Sequence, residues 1–114
     1  MIARASVIFV SLIASTSLSA AFDCDTANHK AAFAKMDTAF KTGLLQTAPG
    51  GGGLTVLVAD ALWYGMNYPQ KQRFAEELTC AIAGAGKGIT EMRFKSLQTG
   101  KTIGEWKLTT LNIP

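Results

Sequence analysis

Cys24 and Cys80 are the two cysteines of this chain, and what stands before them decides how they are read. Met1-Ile2-Ala3-Arg4 carries one positive charge. Ala5 to Ala14 is an apolar run, and Ser15 to Ala21 is small and polar, closing on Ser19-Ala20-Ala21. That succession is the layout of a secretory signal peptide with a small-x-small cleavage site. The run is too short for a bilayer, which takes roughly 20 apolar residues. Residues 1–21 are therefore expected to be removed on export, leaving one domain over residues 22–114 in the periplasm or outside the cell. In an oxidising compartment an even pair of cysteines reads as a disulfide. Closing so long a loop stabilises a fold by about 4 kcal/mol in the chain-entropy account. A whole domain has only about 5–15 kcal/mol, so one such bond limits strongly what the chain can become. Lipid attachment at Cys24 is disfavoured, because Phe22-Asp23 stands where a lipoprotein signal carries small residues.

Asp25 or Thr26 suits a helix cap. Beyond it Phe33, Met36, Phe40 and Leu44 form one apolar stripe, with Lys30, Lys35, Asp37 and Lys41 mostly off it. The spacing predicts a helix from about Ala27 to Leu45. Pro49 to Gly53 reads as a flexible linker. A phosphate loop needs Gly-Lys-Ser/Thr at the head of a helix, and here Leu54-Thr55-Val56 opens a strand. Leu54 to Ala59 is continuously apolar, as a well-covered strand is. Asp60 suits the cap of a short turn, Ala61 to Tyr64. Pro69 then opens a second helix, with Phe74, Leu78, Ala81, Ile82 and Ala85 on one face and a stop near Gly84-Ala85-Gly86.

Two strands follow. Thr90, Met92 and Phe94 alternate with Glu91, Arg93 and Lys95 over Ile89 to Ser96. After the turn Leu97-Gln98-Thr99-Gly100, Trp106 and Leu108 alternate with Glu105 and Lys107 over Lys101 to Thr109. The polar faces can set Glu91 or Glu105 across from Lys or Arg. Asn112-Ile113-Pro114 reads as a tail. The expected order is α-β-α-β-β. It gives an α/β (α+β) two-layer sandwich, a three-stranded sheet with two helices on one face. The crossover should make the first two strands parallel, and the last two should form a hairpin.

The formal net charge of +3 includes Arg4, and the charges are interspersed. Nucleic-acid binding calls for a basic stripe, so none is expected. His29 has Asp23 and Asp25 nearby, but a metal needs three or four convergent ligands. A Ser-His-Asp arrangement needs a nucleophile on a defined elbow. Neither is visible. Glu76 and Glu77 are adjacent on a helix and point about 100° apart, a solvated face rather than a catalytic pair. Asp60 follows a strand, where α/β folds often place ligand groups, although capping is its simpler use. Gly100-Lys101-Thr102 falls in a hairpin and reads as a turn. No catalytic residue, metal or cofactor is expected. The richest segment is Trp63-Tyr64-Gly65-Met66-Asn67-Tyr68. Trp63, Tyr64, Met66 and Tyr68 are residue types enriched at interaction surfaces. Equally, Trp63 and one tyrosine could close the end of the core.

One resemblance rests on Leu62-Trp63, Lys71-Gln72-Arg73-Phe74-Ala75, Glu91-Met92-Arg93-Phe94-Lys95-Ser96 and Thr99-Gly100-Lys101-Thr102-Ile103-Gly104. This pattern resembles small exported bacterial proteins of unassigned function, in which a Trp precedes a Lys-containing helix and a strand runs into a Ser/Thr-Gly-Lys turn. It covers residues 60–108. It implies a bacterial envelope protein and a shared fold, and no activity.

The leading expectation is a non-enzymatic exported binding or accessory protein, such as an inhibitor, immunity or adaptor protein. It would meet an envelope protein through Trp63, Tyr64, Met66 and Tyr68, without stable membrane insertion. The runner-up is a small-ligand binder with a cleft near Asp60 and Trp63. The third is a small enzyme with a carboxylate or hydroxyl site.

Overall fold

The computed structural model describes residues 22–48 and 53–114, so the expected leader and residues 49–52 lie outside the described part. Asp25 starts the first helix: its Oδ1 accepts the Asn28 N–H at 2.7 Å. This satisfies one of the free donors at a helix start. Helix α1 spans Thr26–Lys41. Gly43, at φ +83°, then turns the chain in a conformation that glycine adopts without strain. The helix therefore ends short of the expected Leu45, and Leu45–Ala48 is strand β1.

Strand β1 pairs antiparallel with β2, Leu54–Val58, with Ala48 opposite Thr55. Strands β1 and β2 thus form an antiparallel pair, and the expected linker, Pro49 to Gly53, falls outside the described residues except for Gly53. Helix α2 is the short Asp60–Trp63. Helix α3, Tyr68–Ala83, starts with Pro69 in its first turn and a reciprocal cap between Asn67 and Gln70. Strands β3 (Glu91–Ser96), β4 (Thr102–Lys107) and β5 (Thr110–Asn112) follow.

The sheet has five strands in the order β1-β2-β3-β4-β5. The expected three-stranded sheet is corrected by two additions, one at each edge. The β2–β3 pair is parallel and the others are antiparallel. The α+β class, the parallel crossover and the β3–β4 hairpin stand as read. Register sets Arg93 opposite Glu105 and Glu91 opposite Lys107 on the open face. Val56, Val58, Met92, Phe94, Trp106 and Leu111 carry the buried face, and Phe74, Ala75, Leu78 and Ala81 of α3 close over it. A register shift after Phe94 leaves Ile103 and Gly104 both buried, a bulge that re-phases β4. Helix α1 buries only Ala32 and Met36 fully. Phe33, placed on the apolar stripe, is 54% exposed instead.

Trp63 fills the middle of this core. Its ring centroid lies 5.3 Å from that of Phe94, and it meets Phe74 edge-on at 6.4 Å. Such tilted and edge-on pairs suit the ring quadrupoles. Cys24 and Cys80 form a disulfide between the start of α1 and α3, with Cα atoms 5.7 Å apart. The Gly86 N–H donates to the Cys24 carbonyl at 2.7 Å and holds the same junction. Among the described residues no helix is long and apolar enough to cross a membrane.

Candidate interaction surface

The connection from α2 to α3 carries the aromatic segment, and the structure divides it. Trp63 is 1% exposed. It offers no surface, because its ring is packed between Phe74 of α3, Phe94 of β3 and Gly104 of β4. Tyr64, one residue on, is 65% exposed. The Lys71 ammonium lies 5.6 Å from the Tyr64 ring and 5.2 Å from the Trp63 ring, within cation–π range. The ion pairs among the described residues engage Lys35, Lys41, Arg73 and Arg93, and not Lys71. Met66 is half-buried against the core. Tyr68 is 47% exposed, yet its hydroxyl donates to the Leu111 carbonyl, so it also braces β5. The exposed part of the segment is therefore Tyr64 and Tyr68, with the half-buried Lys71 and Met66 beside them.

The other candidate residues are held by neighbours. Asp60 does not cap α2, whose cap residue is Ala59. Its Oδ1 accepts the Ser96 hydroxyl at 2.6 Å, and its N–H donates to Gln98 Oε1 at 2.8 Å. Ser96 Oγ in turn accepts the Thr99 N–H at 3.0 Å. Asp60 thus ties α2 to the β3–β4 turn, and the expected cleft beside it has its polar groups already engaged. Glu76 pairs with Arg73 at 3.3 Å and Glu77 with Lys35 at 2.7 Å, on separate partners.

His29 stands apart from Asp60 and Ser96 in the hydrogen-bond network. Its Nδ1 is 2.9 Å from the Cys80 carbonyl. A carbonyl only accepts, so that nitrogen carries the proton. The fold thereby sets His29 beside both cysteines, a grouping that sequence reasoning missed. Cys24 and His29 flank one helix cap, but nothing in their spacing announces Cys80.

On the open sheet face, Gly53, Thr55, Arg93, Glu105 and Lys107 border a groove of about 180 Å³. Ligand pockets run to about 300–1,000 Å³, and the Arg93–Glu105 pair at 3.6 Å belongs to this groove's own lining.

These features define a small disulfide-linked α+β domain with one sheet face covered by helices and two exposed tyrosines, Tyr64 and Tyr68, beside the half-buried Lys71. Comparison with family models, with curated proteins and with solved structures finds no match for this chain.

Proposed function

We propose that this chain is an exported, non-enzymatic accessory protein that binds an envelope protein through the surface centred on Tyr64. The observation that carries the reading is Tyr64 itself, 65% exposed beside Lys71. Tyrosine loses little rotamer entropy on binding and supplies a large contact area, which is why it recurs at the centres of interfaces. The disulfide supports export, because such bonds persist in oxidising compartments. The structural engagement of Asp60, Ser96, Glu76 and Glu77 favours binding over catalysis. Inhibitor, immunity and adaptor roles all fit.

A photo-crosslinking residue at position 64, irradiated in intact cells, should give one dominant adduct with an envelope protein identified by mass spectrometry. Tyr64→Ala should weaken capture of that protein by about 30-fold, the cost of losing a hot-spot side chain. It should change folding stability by no more than about 0.5 kcal/mol. Adducts that form only from a control position at Arg93 would overturn the reading and move the site to the open sheet face.

A further inference from the structure

The fold brings three metal-binding residue types to one point. Cys24 stands just before the α1 cap, His29 lies early in α1, and Cys80 is buried on α3. The two Sγ atoms and a ring nitrogen of His29 lie within 4.8 Å of one another. While the sulfurs are bonded to each other neither is a thiolate, and thiolate is the form that holds a metal.

We propose that reduction of the Cys24–Cys80 bond turns this point into a Cys2His site for a divalent cation of the zinc class. A dithiol reductant supplies two electrons and two protons. The S–S bond breaks, two thiols form, and the reductant's own sulfurs close to a disulfide. Each thiol releases its proton as it meets the cation. Two thiolates and an imidazole are ordinary zinc ligands, and they leave a fourth tetrahedral position to water.

The geometry favours this. Metal–sulfur bonds of about 2.3 Å in a tetrahedron put the two sulfurs about 3.8 Å apart. The Cα atoms, 5.7 Å apart, need not move, since rotation about each Cα–Cβ bond separates the sulfurs. His29 is already braced, because its Nδ1–H donates to the carbonyl of Cys80. A backbone-carbonyl bond on one ring nitrogen is the common support of a ligating histidine, and it leaves the other lone pair free. Cys24 is held through its carbonyl by the Gly86 N–H. Neither brace involves a sulfur, so neither is removed by reduction.

The purified protein, reduced with a dithiol and freed of it anaerobically, is titrated with Co²⁺ alone. A thiolate-to-cobalt charge-transfer band and the visible bands of tetrahedral cobalt should saturate at a single equivalent. Zn²⁺ should bleach both, and the oxidised protein should give neither. His29→Ala should weaken Co²⁺ binding at least about tenfold, since loss of a mere supporting group costs about 10–100-fold. Its helical circular dichroism should be retained. If reduction itself unfolds the chain, Co²⁺ must restore the helical signal. Absence of the band, equal affinity in His29→Ala, the same signal from oxidised protein, or failure to restore the helices would each overturn the proposal.

Discussion

At Gly104 the space where a side chain would stand is taken by a neighbour's ring. A Cβ there would meet Trp63 Cη2 at 3.1 Å and Leu111 Cδ1 at 3.3 Å. The indole cannot easily retreat, because Phe74 and Phe94 pack against it. Gly104→Ala is therefore expected to cost about 1–3 kcal/mol, the usual effect of overfilling a packed core. The measurement is the denaturant midpoint at unchanged slope. An unchanged midpoint would mean that the ring has room to shift. The sequence shows Gly104 as one more glycine in a turn-and-strand motif. Its role depends on Trp63, far away in the chain. The same holds for the tyrosines. Tyr64 and Tyr68 sit on a connection without periodicity, so composition marks the segment as unusual but cannot assign a face to each ring. The partner of Tyr68 is a carbonyl on β5, which only the folded chain brings near.

The two long helices and the β3–β4 hairpin were legible because each repeats its period several times. The edge strands were not. Strand β1 has four residues and β5 has three, too few to establish alternation. Strand β1 also continues the apolar stripe of α1 through Leu44 and Leu45, so periodicity alone extends the helix across Gly43. Strand β5 is entered through Leu108 at φ +58°, a left-handed conformation uncommon for a leucine and unmarked by turn residues. What secures β5 is a helix. Gln72 Oε1 accepts the Leu111 N–H, and Gln72 Nε2 donates to the Thr109 carbonyl, both at 2.9 Å. One side-chain amide thus does the work of a neighbouring strand on this edge, where unpaired backbone would otherwise invite association. Gln72→Ala should destabilise the protein by about 1–3 kcal/mol, because a part-buried donor loses its acceptor. Gln72→Glu keeps an acceptor for the Leu111 N–H, but it gives up the bonds of Nε2 to the Thr109 carbonyl and to Glu76 Oε2. It also sets a second carboxylate beside Glu76, so it should cost at least as much as Gln72→Ala. Equilibrium unfolding of the two variants checks the order. Equal stability of Gln72→Ala and the parent would mean that the β4–β5 pairing, the Tyr68 brace and Leu111 packing hold the strand without Gln72.

At the scale of the molecule, the class and central topology were readable because two buried patterns, continuous in β2 and alternating in β3, flank a helix. A helix between strands makes a parallel pair. The cysteine pairing was readable from number alone. What escaped was convergence: His29 against Cys80, Gln72 against β5, Asp60 against Ser96. Each joins residues remote in sequence by one polar contact, and no local pattern encodes it. The disulfide has one more consequence. It closes a covalent ring over residues 24–80, which holds α1, β1, β2, α2 and most of α3. Strands β3, β4 and β5 lie outside the ring, beyond a joint where Lys87 is exposed. A tryptic nick after Lys87 should therefore yield two fragments on a non-reducing denaturing gel, even with the disulfide intact. In native buffer the same nicked material should elute as one species, joined by β2–β3 pairing and the shared core. Separate elution would mean that the peptide link at the joint is indispensable. Cleavage between β1 and β2, inside the ring, leaves every piece tethered. The molecule is thus a closed loop and a removable three-stranded leaf, a natural pair of halves for reassembly.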